Sequence, residues 1–162
     1  MTNPRIQTLI DSLQLQPHPE GGYYREIFRS ESAVGANGGR GERRALTVIY
    51  FLLTAGQHSR WHCVLSDEAW SHLEGDALML FCFDAENRRL TNVQLGHDDP
   101  ENESVHVVPA GVWQAAQPLG EYTLVSCCVG PGFEFGDFGL AADHPDAAEA
   151  IRALGENAIK LI

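Results

Sequence analysis

Residues 56–75 read GQHSRWHCVLSDEAWSHLEG, and this stretch decides the architecture. Glycines close both ends. Between them stand two short runs rich in aromatic and apolar residues, SRWHCVL (59–65) and EAWSHL (68–73), parted by Ser66 and Asp67. Runs of this length bounded by turn residues read as strands. Side chains alternate along a strand. His62 and Val64 therefore share one face of the first run, and Glu68, Trp70 and His72 share one face of the second. An imidazole and a carboxylate six positions apart, on adjoining strands, are a natural polar focus.

The same pattern continues on both sides. LTVIYFLL (46–53), ALMLFCF (77–83), LTNVQL (90–95), SVHVVP (104–109), VWQAA (112–116) and EYTLVSCCV (121–129) are separated by Gly, Pro, Asn and Asp. Many short antiparallel strands joined by tight turns form a sandwich or a barrel. GGYYREIF (21–28) alternates aromatic and charged residues and reads as a further strand near the barrel edge, with 46–53 in the core. SESAVGANGGRGERR (30–44) reads as a mobile loop. The ends are helical. Ile6, Leu9, Ile10 and Leu13 keep helical spacing behind Asn3 as cap and Pro4 in the first turn. ADHPDAAEAIRALG offers Asp143 as cap, Pro145 in the first turn and Gly155 as the stop. The fold class is all-β with short N- and C-terminal helices, and 162 residues suit one domain over 1–162.

Composition removes several functions. Eleven Lys and Arg against 22 Asp and Glu give a net charge of −11, the wrong sign for a phosphate backbone. No apolar run approaches the ~20 residues that span a bilayer. The N-terminal residues lack a secretory signal, so a cytoplasmic location is expected. The partners expected are neither nucleic acid nor membrane. Cys63, Cys82, Cys127 and Cys128 form no C-x2-C pair and read as reduced thiols. Cys127 and Cys128, adjacent on a strand, point to opposite faces.

The 56–75 stretch resembles the first motif of the cupin superfamily, G-x5-H-x-H-x3-E-x6-G. Gly56, His62, Glu68 and Gly75 match it, with Val64 at the second histidine position. PAGVWQ (109–114) resembles the second motif, P-x-G-x-x-H, with Gln114 in place of the histidine. PHPEGGYYRE, IYFLLTAG, SDEAW, VPAGVWQAA and GFEFGDF together look like the cupin-like family of unassigned function that shares these segments. The resemblance implies a jelly-roll β-barrel and a homodimer, and brings no reaction with it. PEGGYYREIF is also similar to the start of the first strand in metal-free deoxysugar 3,5-epimerases, cupins that use a histidine base.

In the full cupin motif three histidines and a glutamate hold one divalent ion. Here a metal would have only His62, Glu68 and the amide of Gln114, fewer strong donors than zinc or non-haem iron sites use. His72 lies about 13 Å along the strand from Glu68, too far to join them. No cofactor is obligatory on this reading. Tyr50, Trp70, His72, Trp113 and Gln114 are candidate substrate-binding residues, as aromatic walls with a few polar groups build small-molecule sites. His62, oriented by Glu68, is a candidate general base, with Tyr122 to return the proton. His18, His58, His97 and His144 read as solvent-facing, and His106 faces either way. Three functions stay open: a metal-independent epimerase or isomerase acting on a carbohydrate-like or other small polar substrate, a metal-dependent cupin enzyme with a depleted ligand set, and a binding or sensing barrel without chemistry.

Overall fold

The computed structural model describes residues 3–162. The chain opens with α1 (Pro4–Leu13), capped by the Asn3 side chain, which accepts from the Arg5 N–H; Ile6 and Leu9 are buried on its inner face. The strands follow as β1 (Gln16–Pro17), β2 (Tyr23–Arg29), β3 (Ala33–Ala36), β4 (Gly41–Arg44), β5 (Thr47–Thr54), β6 (Ser59–Val64), β7 (Asp67–Gly75), β8 (Leu78–Asp84), β9 (Arg89–Leu95), β10 (Val105–Val108), β11 (Trp113–Pro118), β12 (Tyr122–Gly130) and β13 (Phe138–Leu140). Helices α2 (Pro145–Arg152) and α3 (Glu156–Ile159) close the chain. Six strands pair in the order β1-β2-β5-β12-β7-β10, and five in the order β13-β6-β11-β8-β9. These two antiparallel sheets form the jelly roll that the cupin resemblance implies.

Strand alternation sorts the apolar residues into three clusters. Inward side chains, among them Phe51, Leu53, Trp70, Leu80, Val125 and Cys127, fill one end of the barrel. Outward side chains of the six-stranded sheet, including Leu52 and Leu124, pack under α1. Trp61, Phe83 and Ala115 face out from the other sheet and meet Ile151, Ala158 and Leu161 of the C-terminal segment. The Trp61 indole donates to the Ala158 carbonyl at 2.9 Å, which pins that segment down.

Two bulges in the six-stranded sheet shift its alternation. In the β2–β5 ladder Glu26 pairs with Ile49 and Phe28 with Val48, so Ile27 is the extra residue. Tyr24 and Glu26 face inward before it and Arg29 after it, leaving Phe28 51% exposed. A second bulge, at Leu73 opposite β12, turns Glu74 outward to Arg5. An extra residue flips every later side chain to the other face.

Three expectations change. Residues 30–44 hold a β3–β4 hairpin rather than a mobile loop, paired from Ala33↔Arg44 to Ala36↔Gly41. The guanidinium groups of Arg40 and Arg43 reach Asp137 at 3.0 and 2.8 Å, contacts about a hundred residues away that local reading cannot see. The cap position of α2 is His144 rather than Asp143. Gly155 follows α2 but also caps α3.

Candidate functional site

The end of the barrel that the core leaves unfilled holds a cavity of about 300 Å³. Ile49, Val64, Val129, Tyr24, Phe133 and Phe138 are among its walls. His18, Glu20, Thr47, His62 and Glu68 are among its buried polar residues, and Glu26, Arg29 and Glu134 stand at its rim.

Glu20 enters through the Pro-Glu-Gly-Gly turn. Gly21 (φ 112) and Gly22 (φ 71) adopt conformations that side chains resist. A Cβ on Gly22 would lie 2.6 Å from the Leu52 carbonyl oxygen, and one on Gly21 would overlap the His58 carbonyl. The bare backbone can thus lie against β5 and β6, held there by the Arg60 N–H donating to the Glu20 carbonyl at 2.8 Å. The Glu20 carboxyl is thereby aimed inward. Its Oε1 accepts from the Ser59 hydroxyl at 2.9 Å, and its Oε2 lies 3.2 Å from His62 Nε2. His62 Nδ1 sits 2.8 Å from the Arg60 carbonyl oxygen. A carbonyl only accepts, so Nδ1 carries the hydrogen and Nε2 of the neutral ring faces Glu20 as an acceptor. The proton between them then belongs to the carboxyl.

Glu68 is held separately. Its Oε2 accepts from the Gln114 amide nitrogen at 2.6 Å, while Gln114 Oε1 accepts from the Trp70 indole at 2.9 Å. An indole N–H can only donate, which fixes the orientation of the amide. Burial raises both carboxyls, Glu20 to about 8 and Glu68 to about 7. Burial lowers His62, and it takes His18 down to about 4, with His62 adding to the effect. The Cys127 thiol on the cavity wall is pushed well above its ordinary value, chiefly by burial and then by Glu68 and Glu20. That disfavours the thiolate, the nucleophilic form of the group.

The sequence-derived candidates separate cleanly. His62 and Glu68 line the cavity, but the partner of His62 is Glu20 rather than Glu68. Trp70 and Gln114 stand behind Glu68 and orient it. His72 is buried at the filled end, with Nε2 at 3.1 Å from the Asp76 carbonyl oxygen and its ring against His97. Tyr122 faces the outside and donates to Glu74 at 2.9 Å. Tyr50 packs in the cluster under α1. Trp113 faces the C-terminal segment, its ring 5.5 Å from His144. None of these last four lines the cavity. Strand parity explains three of them: Tyr122 is out of phase with Cys127, Tyr50 with Ile49 and Trp113 with Gln114. His18 is not solvent-facing, because its side chain is 6% exposed and its ring packs on Tyr24 and Phe51. His18, Glu20, Arg29, Phe133 and Phe138 were missed. The carboxylate set beside two glycines was the available signal for Glu20.

The residues at the cupin ligand positions do not fit an ion. Val64 has no donor atom, and Gln114 turns its oxygen to Trp70 and its NH2 to Glu68. His62 and Glu68 remain, two donors where zinc sites use three or more. Among the described residues no group of three or more His, Cys, Asp or Glu is placed to hold a metal.

Arg29 dominates the rim. Its guanidinium donates to both Glu26 oxygens at 2.9 and 2.8 Å, to Glu134 at 2.9 Å and to the Phe133 carbonyl at 3.1 Å. The segment carrying Phe133–Phe138 is thus tied to β2 on one side and, through Asp137, to the β3–β4 hairpin on the other.

Residues 7–141 match the family described as Cupin superfamily (DUF985). The chain is 32% identical over 148 residues to the uncharacterized protein YML079W of Saccharomyces cerevisiae, covering 82% of this chain and 73% of that one. Among solved structures it is similar to a hypothetical protein from Leishmania major, with a TM-score of 0.77, 33% identity and coverage of 91% and 96%. It is equally similar to protein SO0799 from Shewanella oneidensis, with a TM-score of 0.76, 32% identity and coverage of 96% and 99%.

Proposed function

The chain belongs to the cupin superfamily family DUF985, and on that premise we propose that its cavity binds a small molecule and moves a proton on it without a metal. The reaction class is epimerase or isomerase. One observation carries the reading: two buried carboxyls share one apolar cavity with opposite hydrogen bonding, Glu68 accepting from the Gln114 amide and Glu20 facing the acceptor nitrogen of His62. A donor on Glu68 favours its ionised form and an acceptor beside Glu20 favours its protonated form, which supplies a base and an acid together. His62, whose free nitrogen accepts from Glu20, holds that carboxyl in its protonated form.

In this scheme Glu68 removes a proton from a carbon beside a carbonyl. The C–H bond breaks, its electron pair forms the enol double bond, and the carbonyl oxygen takes the proton of Glu20. Water delivering a proton to the opposite face of the enol gives the epimer, Glu68 then passing its proton to water. Glu68 returning its proton to the neighbouring carbon gives the isomer. In both, the C=C electron pair forms the new C–H bond and an enol O–H returns its proton to Glu20. The base moves from His62 to Glu68 because the free nitrogen of His62 is turned to Glu20.

Deuterium uptake from heavy water into enolisable aldoses, ketoses and nucleotide sugars, read by mass spectrometry, tests the proposal. Exchange by the wild type should fall at least ~100-fold in Glu68→Gln and in Glu20→Gln, the usual weight of a positioned acid or base. It should be unchanged in Tyr122→Phe, whose hydroxyl lies outside the barrel. Exchange that persists in both glutamine variants excludes the scheme.

Assembly is part of the proposal. β1 covers only Tyr23 and Tyr24 of β2, and beyond them Ile27 and Phe28 are exposed. An open strand edge with apolar side chains favours pairing with a second copy. Light scattering at micromolar concentration should give the dimer mass, and a monomer mass removes this part.

A further inference from the structure

We infer that the cavity selects a positively charged organic ligand, a small amine with an apolar body, and rejects anions. This deepens the proposed function by naming a ligand class. It rests on the cavity being the ligand site, and not on proton transfer occurring there.

The charge around the cavity is one-sided. Four carboxyl groups line it, Glu20, Glu26, Glu68 and Glu134, and its one guanidinium is Arg29. Arg29 is already bonded to two of those carboxylates and to a backbone carbonyl. Two rim carboxyl groups thus share one guanidinium, and among the described residues the cavity lining offers no cation free to meet a ligand. The histidines do not supply one either. His18 Nδ1 accepts the Glu20 N–H at 3.2 Å, His62 Nδ1 is held on the Arg60 carbonyl, and burial disfavours the charged form of both rings. A phosphate or carboxylate entering here meets carboxyls and finds no counter-charge.

An ammonium group meets the reverse. Tyr24, Phe133 and Phe138 present aromatic rings to the cavity, and such rings attract cations through their faces. Burial raises both Glu20 and Glu68, and a cation beside them favours their ionised forms. The chain as a whole, at −11, draws cations toward the mouth and repels anions. An amine-bearing carbonyl compound satisfies both the charge of the cavity and the proton-transfer scheme.

Benzylamine, benzyl alcohol and benzoate share one ring and carry charges of +1, 0 and −1 near neutral pH. Each is titrated into the full chain by calorimetry at pH 7.5. Benzylamine should bind at least ~10-fold more tightly than benzyl alcohol, the effect of one partly desolvated charge pair, and benzoate should bind most weakly. In Glu68→Gln the preference for benzylamine over the alcohol should shrink to within about threefold, with affinity for the alcohol retained, because the amide keeps the shape and loses the charge. Benzoate binding as tightly as benzylamine, equal affinity for all three, or no binding of any at ~10 mM, a concentration that detects even weak ligands, overturns the inference. The wild-type panel stands even if the variant misfolds. Cation preference without isotope exchange removes only the proton-transfer proposal. Exchange without cation preference removes only this inference.

Discussion

Replacing Glu20 with glutamine is expected to stabilise the protein at pH 8.5 by about 2–4 kcal/mol and to abolish its proton transfer. Burial raises the Glu20 carboxyl from 4.5 to about 8. The folded chain therefore holds a proton that the unfolded chain releases above pH 4.5. Stability from this group is complete below 4.5 and is lost as pH rises toward 8. Each tenfold weakening of the acid corresponds to roughly 1.4 kcal/mol, so the loss is capped at about 5 kcal/mol, and water entering the open cavity reduces it. Glutamine keeps the local bonds without the titration. Its carbonyl accepts from Ser59, and its NH2 donates to the free nitrogen of His62, as the protonated carboxyl does.

At pH 5 the two proteins should agree within about 1 kcal/mol, since that pH lies only just above 4.5, where the unfolded carboxyl releases its proton. Glu68, raised to about 7, adds a second loss of the same sign on the alkaline side. His18, lowered from 6.5 to about 4, and His62, also lowered, act the other way. Their unfolded forms take up protons below 6.5, so stability falls as pH drops. Wild-type stability should thus peak between 4.5 and 6.5. Urea denaturation at pH 5 and 8.5 reads all of this. Equal stability of wild type and variant at both values would show that Glu20 is ionised in the fold, and the acid of the mechanism would be gone. A variant that is steadier but inactive is the expected mark of a site held at the expense of stability.

Most of the barrel was legible because strand alternation and turn residues are local properties. The stretch from Gly56 to Gly75 placed His62 and Glu68 on the inner face through its match to the cupin motif, while parity alone told only which residues share a face. Parity applied strictly to residues 121–129 would also have kept Tyr122 outside, since Cys127 and Val129 on the same strand line the cavity. Other features were out of reach. The bulge at Ile27 inverts the alternation of β2, so Arg29 replaces Phe28 at the cavity mouth, and a bulge has no composition of its own. The partner of His62 comes from a turn 42 residues earlier in the chain. Only the Gly21–Gly22 pair hinted that backbone there lies close against other strands. The hairpin of residues 33–44 owes its order to Arg–Asp137 contacts rather than to an apolar face, and periodicity is silent about such contacts.

The last expectation concerns the two positions where donors are missing. Gln114 pairs with His62 across β11 and β6, its amide is 2.6 Å from Glu68, and Val64 lies on the cavity wall two residues beyond His62. Histidines at 64 and 114 would therefore stand beside His62 and Glu68, making the four-donor set of a metal-binding cupin. Without metal the double variant, Val64→His with Gln114→His, should lose about 3–5 kcal/mol. Trp70 loses its acceptor and Glu68 its donor, and a buried unpartnered polar group costs about 1–3 kcal/mol. The ring at position 64 adds a further polar group to an apolar wall. Because the sites touch, the costs need not add. Nickel or zinc at a hundred times its dissociation constant should restore about 2.7 kcal/mol, as any ligand specific to the folded state does. Metal must displace the Glu20 carboxyl from His62 Nε2, so binding should release a proton there and tighten as pH rises toward 8. Thermal unfolding with chelator and with metal separates these effects, and the wild type should shift little. If instead the wild type purifies with a stoichiometric metal that His62→Ala abolishes, then Glu20, His62 and Glu68 suffice as ligands. The metal-free reading of the cavity fails with that result.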